Sequence, residues 1–256
     1  MGGLVAPSMT MEEPLVAELR GQSAEAILSR VRTQFGSRAT FACSFGAEDM
    51  VLLDMLSRLS ARDGGDIRIF TLDTGRLFPE TYELMQKAYD RYRMPIQVME
   101  PDRVELEEMV SQNGPNLFYQ SVENRKTCCG VRKVHPLARA LQGADAWIVG
   151  LRREQSAERS VVEKISRDGS QSGIWKVCPL ADWSWSDVLA YVKEREVPIN
   201  RLHAQGFPSI GCAPCTRAVM PGEDPRSGRW WWETGEKECG LHPATHGRAL
   251  VGASVH

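Results

Sequence analysis

The chain has 256 residues, 42% hydrophobic and 25% charged, with a formal net charge of −2. That balance allows one large α/β domain or two small ones with a sizeable core, and it supplies no basic field to recruit nucleic acid or a membrane surface. No apolar run approaches the roughly 20 residues of a membrane span and no signal-peptide pattern opens the chain, so its seven cysteines are expected as reduced cytoplasmic thiols serving metal or catalysis, not disulfides.

Residues 1–14 read as a loose leader, and residues 14–35 carry apolar side chains at helical spacing: Leu15, Leu19, Ala26, Ile27 and Val31. Residues 39–43 read as a short buried strand, followed by the loop Ser44-Phe45-Gly46-Ala47-Glu48-Asp49 and a helix from Met50. Such a join offers backbone N–H groups and a helix N-terminus to an anion. Ser44 adds a hydroxyl and Gly46 lets a ligand approach the backbone, although a plain capped turn would read the same way. Residues 66–72 form a second, alternating strand that ends in Asp73-Thr74-Gly75-Arg76, a polar turn where open α/β sheets place ligands. A helix is expected from Pro79, a strand over 96–99, a helix over 103–110 and a Gly/Pro/Asn loop over 113–116. The pair Cys128-Cys129 is expected to open a helical stretch towards Leu141, before a fourth strand over 146–150. Strands alternating with helices predict the α/β class: a doubly wound, mostly parallel sheet with helices on both faces.

Beyond the fourth strand, residues 151–159 place Arg152, Arg153 and Arg159 at another strand end. Residues 161–165 and 174–177 are expected to pair as a hairpin across Asp168-Gly169, and Ser184 or Ser186 to cap a helix ending by 197–200. From Gly206 the chain is rich in Gly, Pro, Arg and Trp, including Arg217, Arg226, Arg229 and Trp230-Trp231-Trp232.

The cysteines sort by their neighbours. Cys43 and Cys178 lie in apolar strand segments and read as small core residues. Cys128-Cys129 and Cys212-Ala213-Pro214-Cys215 bring four thiolates, enough for one metal centre. A CxxC turn aims two sulfurs to one side, whereas adjacent side chains diverge by roughly 100° on a helix. One zinc ion would strain the adjacent pair, while a wider cubane offers its sulfurs separate iron atoms. The spacing therefore favours a 4Fe–4S cluster, with zinc, or buried or disulfide-bonded cysteines, as the alternatives. Cys239 stands in a polar, Gly-flanked segment after a run of arginines, a setting suited to an ionised nucleophile.

Taken in order, Ser44-Phe45-Gly46-Ala47-Glu48-Asp49, Asp73-Thr74-Gly75-Arg76, Cys128-Cys129, residues 150–159, Cys212-Ala213-Pro214-Cys215, Arg229-Trp230-Trp231-Trp232-Glu233 and Glu238-Cys239-Gly240-Leu241-His242 resemble the iron–sulfur, assimilatory adenylylsulfate (APS) branch of the APS/PAPS reductase family. The resemblance implies an adenine nucleotide alpha hydrolase-like fold. It implies a 4Fe–4S cluster on Cys128, Cys129, Cys212 and Cys215 that keeps its redox state in turnover. Lys133 would stand between cluster and substrate, with Cys239 as the nucleophile. Ser44, Gly46, Leu72, Thr74, Gly150 and Arg159 would line the nucleotide site, and Arg226, Arg229 and His242 would face the phosphosulfate. It further implies reduction of APS to sulfite and AMP with thioredoxin as reductant, through an S-sulfocysteine, in assimilatory sulfate reduction. The expected organisation is a leader and helix over 1–36, a nucleotide- and cluster-binding domain over 37–216, and an irregular, mobile tail over 217–256.

The residues fit that chemistry on their own terms. Reducing activated sulfate calls for a soft nucleophile to attack sulfur, and a thiolate can later leave within a disulfide. Arginines offset the repulsion between a thiolate and an anionic substrate. The alternatives are an enzyme that also accepts PAPS, an ATP pyrophosphatase or cluster-dependent tRNA thiolase of the same architecture, and a non-enzymatic metal-binding module. The Ser-Phe-Gly-Ala-Glu-Asp loop departs from the Ser-Gly-Gly-x-Asp-Ser pattern of the pyrophosphatases. The sequence is compatible with a homo-oligomer without specifying one.

Overall fold

The computed structural model describes residues 12–63, 67–171, 173–234 and 240–241. The helix expected over 14–35 is two helices, α1 (Glu12–Arg20) and α2 (Ala24–Phe35). Gly21 breaks the first and Ser23 restarts the second, its hydroxyl accepting the Ala26 N–H at 3.2 Å. There follow β1 (Ala39–Ala42), α3 (Ala47–Asp63), β2 (Arg68–Leu72), α4 (Pro79–Tyr92), β3 (Gln97–Met99), α5 (Arg103–Asn113), α6 (Val122–Cys129), α7 (His135–Ala140), β4 (Ala146–Ile148), β5 (Ile165–Arg167), β6 (Trp175–Val177) and α8 (Trp185–Arg195).

The strands form one sheet in the order β3-β2-β1-β4-β6-β5, parallel except for the antiparallel edge pair β5 and β6. Successive side chains on a strand face opposite ways, and two apolar cores result. Phe41, Ile69 and Ile148 pack with Ile27, Leu28 and Val31 of α2, with α3 and with Val188 of α8. Their strand neighbours Phe70, Trp147 and Val149 pack on the other face with Leu137 and Ala140 of α7. Strand β2 therefore does not alternate as expected; Ile69, Phe70 and Thr71 are all buried, because a central parallel strand is covered on both faces.

Three other expectations are corrected. Helix α3 starts at Ala47, so Glu48 and Asp49 belong to its first turn and not to the loop. Cys128-Cys129 closes α6 instead of opening a helix, and a π-helical turn, Gly130–Val134, leads into α7. The hairpin is shorter than expected, pairing Ile165 with Val177 and Arg167 with Trp175. Ser184 caps α8 reciprocally with Asp187. Among the described residues no helix is long and apolar enough to cross a membrane.

Candidate active site

Strand β1 has β2 on one side and β4 on the other, which is the point where a doubly wound sheet opens a crevice at its carboxyl edge. A cavity of about 460 Å³ lies there. Ser44 and Gly46 reach it from the loop after β1, Leu72 and Thr74 from the end of β2, and Gly150 and Arg159 from the segment after β4. Lys133 reaches it from the π turn, and Arg226 and Arg229 from the segment that follows the second cysteine pair. Cys239 and His242 lie outside the described residues, while Leu241, between them in sequence, lines the cavity.

The floor of the cavity is tied down by Asp49. Its carboxylate accepts the Ser44 N–H at 2.7 Å, the Ser44 hydroxyl at 2.5 Å and the Gly150 N–H at 3.1 Å, which joins the β1 loop to the end of β4. Burial pushes the carboxyl up to about 6, against the pull of the hydrogen bonds from Ser44 and Gly150. Gly150 is required by contact: a Cβ there would overlap Asp49 Oδ1 and stand 3.0 Å from Glu48 Cβ. Gly150→Ala is expected to cost about 2 kcal/mol of stability, roughly a 4–8 °C lower melting temperature by calorimetry, because both neighbours are fixed.

The four cysteines of the two pairs form no disulfide, are buried and gather around a second, small cavity with Phe118, Arg125, Arg132, Lys133, Arg229 and Trp230. The loop carrying Cys212 and Cys215 is fastened on several sides. The Ala213 N–H donates to Arg76 O at 2.8 Å and the Trp230 N–H to Cys215 O at 3.1 Å, and the Thr74 hydroxyl lies 3.3 Å from Cys212 Sγ. Burial opposes ionisation of Cys212, but Lys133, the Thr74 hydroxyl, Arg229 and Arg132 together outweigh it and hold that thiol below its ordinary value. Cys215 is pushed up to about 12 by burial and then by its neighbours Cys212 and Cys129, and burial raises Cys128 as well. Four soft donors gathered among Arg125, Arg132, Lys133 and Arg229 are a donor set a thiophilic metal centre would satisfy. Among the described residues no group of three or more His, Cys, Asp or Glu is arranged to hold a single metal ion. Lys133, Arg229 and Trp230 line both cavities.

The family model for the phosphoadenosine phosphosulfate reductase domain matches residues 38–218. The chain belongs to this family. It is an enzyme, an oxidoreductase. An adenosine 5'-phosphosulfate reductase from Burkholderia cepacia is 48% identical over 223 residues, covering 85% of this chain and 87% of that protein. A protein of the same name from Allochromatium vinosum is 49% identical over 224 residues, covering 87% and 85%. The phosphoadenylyl-sulfate (PAPS) reductase of Candida auris, solved as a phosphate complex, superposes with a TM-score of 0.69 at 28% identity, covering 85% of this chain and all of that one. FMN adenylyltransferase from Candida glabrata, at 16% identity and a TM-score of 0.52, shares the fold alone.

Within this family fold, several cavity residues carried no signal strong enough to find from sequence. Asp49 was part of a quoted loop, but its link to Gly150 joins positions 101 residues apart. The same holds for Glu48, which accepts from Arg152 Nε at 2.9 Å and from Gln155 Nε2 at 3.0 Å; Gln155 in turn accepts from Arg159 Nη1 at 2.7 Å. His203 lines the cavity beside Trp185, its Nδ1 2.9 Å from Phe207 O, and burial lowers its pKa. Of the three consecutive tryptophans, Trp230 is buried and Trp231 is exposed. Cys43 and Cys178 are core residues, and burial raises both thiols, that of Cys178 to about 12.

Proposed function

We propose that this enzyme reduces adenylyl sulfate to sulfite and AMP with thioredoxin as reductant, in the cytoplasm, as a step of assimilatory sulfate reduction. The observation that carries the reading is that Lys133 and Arg229 line both the strand-end cavity and the cysteine cavity, putting two cations where an anionic substrate would meet a thiolate-held centre. The near-50% identity to proteins named adenosine 5'-phosphosulfate reductase favours APS over PAPS.

In this reading the β1 loop, Leu72, Thr74 and Gly150 hold the nucleotide, and Arg159, Arg226, Arg229 and His242 offset the charge of the phosphosulfate. Cys128, Cys129, Cys212 and Cys215 hold a 4Fe–4S cluster. When bound, it would join the end of α6 to the 212–215 turn and place a fixed charge beside Lys133. The functional division is a leader and helix over 1–36, a nucleotide- and cluster-binding body over 37–216 and a nucleophile-bearing segment over 217–256.

Anaerobic assay with reduced thioredoxin and either APS or PAPS tests the reading. AMP and sulfite are expected in equal amounts from APS, with kcat/KM for PAPS lower by a factor of about 100 or more. Equal turnover of PAPS would replace strict selectivity by dual use, and absence of sulfite from both would overturn the assignment.

A further inference from the structure

The most deeply buried guanidinium among the described residues lies outside both ligand sets. Arg125, 2% exposed, meets Glu233, 6% exposed, through two bonds, Nε to Oε1 at 3.0 Å and Nη2 to Oε2 at 2.9 Å. The same guanidinium hydrogen-bonds Cys129 and lies 4.7 Å from the centre of the Trp230 ring. The Arg229 guanidinium lies 4.8 Å from the centre of that ring. One buried indole thus carries two cations, one from the cysteine helix and one from the substrate cavity.

The backbone at this point is constrained. Trp230 takes a φ of 41°, a conformation costly for a bulky residue unless its surroundings enforce it. The enforcing contacts are the Trp230 N–H on Cys215 O and the Glu233 N–H on Trp230 O, at 3.1 and 2.8 Å. Arg229 is seated too: it donates to the Ser209 hydroxyl at 3.2 Å and fills the space a Gly211 side chain would need. Two buried guanidiniums on one ring repel each other, and Glu233 neutralises one of them. The charge of Arg229 is then the one presented to the cavity.

We propose that Arg125 and Glu233 are positioning residues that set Arg229 for the substrate anion through the Trp230 ring, so that the cysteine cavity and the substrate cavity communicate through one indole. The inference rests on the reading of the larger cavity as the APS site. It adds two residues that touch neither substrate nor, in the case of Glu233, any cysteine of the cradle.

A double-mutant cycle decides it, using KM and kcat for APS in the thioredoxin assay together with iron content, for wild type, Glu233→Gln, Arg229→Ala and the double variant. Arg229→Ala is expected to raise KM by about 10–100-fold, the loss of one charge-assisted contact. Glu233→Gln is expected to raise KM about tenfold, with kcat within twofold and iron retained. Added to Arg229→Ala, it should cost less than twofold more, because its effect passes through Arg229. Additive effects, an unchanged KM in Glu233→Gln or loss of its iron would each overturn the proposal. If Glu233→Gln does not fold, Glu233→Asp runs through the same cycle and is read the same way. Wild type tests the substrate reading by itself: no turnover of APS sinks that reading, whereas turnover of APS with no effect of Arg229→Ala overturns the Glu233 link alone.

Discussion

A Cys129→Ser variant is expected to be colourless, to keep little of the wild-type iron and to lose turnover by roughly 100-fold or more. Cys129 is one of four buried thiols around one cavity, each 8% exposed, and they come from two segments, the end of α6 and the 212–215 turn. A serine hydroxyl is a harder, far less acidic donor and would not replace a thiolate on iron. The damage would spread, because the cradle abuts the turn that places Arg229. Trp230 hangs from Cys215 O, and Arg125 joins Cys129 to Glu233. The melting temperature should fall along with the iron. Cys178→Ala is the control: its thiol is core and outside the cradle, so iron should stay. Iron and acid-labile sulfide analysis with a visible spectrum makes the measurement. Full iron in Cys129→Ser, or one zinc and no iron per wild-type chain, would remove the cluster assignment.

What the sequence made legible follows the range of the forces involved. The alternation of strands and helices, the buried strands over residues 39–42 and 146–148 and the Pro79 helix start are local signals, and they were readable within a few residues. The mostly parallel pairing followed from the alternation, since parallel neighbours need crossover helices, whereas the strand order did not. Boundaries read less well. Ala47-Glu48-Asp49 looks polar enough for a loop, yet Asp49 earns its helical place by accepting N–H groups from Ser44 and Gly150, the second of them distant in sequence. The cysteine pair was expected to open a helical stretch towards Leu141; the π turn that intervenes leaves no mark in periodicity. The grouping of Ser44, Leu72, Thr74, Gly150, Arg226 and Arg229 was legible only as a set of motifs in order. Glu233 was legible only as the end of a motif, and its pairing with Arg125 not at all, because a buried ion pair 108 residues apart leaves two ordinary charges in the sequence.

Mixing the protein with APS in the absence of reductant is expected to release one AMP per active site and to leave a thiosulfonate on the peptide containing Cys239. Cys239 lies outside the described residues, but Leu241, two positions on, packs against the core beneath the cavity and lines it, so the chain returns to the substrate cavity just beyond the thiol. Of the other six cysteines, four form the cradle and Cys43 and Cys178 are buried in the core; Cys43 also lines the cavity, but burial raises both thiols and disfavours the nucleophilic thiolate. In the proposed reaction the Cys239 thiolate attacks the sulfur of the substrate. A sulfur–sulfur bond forms, the bond from sulfur to the bridging phosphate oxygen breaks, and AMP leaves with the electron pair. A thioredoxin thiolate then attacks Cys239 Sγ and expels sulfite, and the second thioredoxin thiol resolves the mixed disulfide, so that one dithiol supplies the two electrons. Cys239→Ser should keep its iron and still bind APS while kcat falls by about 10⁴-fold or more, as loss of a nucleophile does. Mass spectrometry of the intact chain, followed by peptide mapping, reads the adduct, and added thioredoxin should remove it with release of sulfite. An adduct on Cys43 or Cys178, or steady turnover by the serine variant, would rule out Cys239 as the nucleophile.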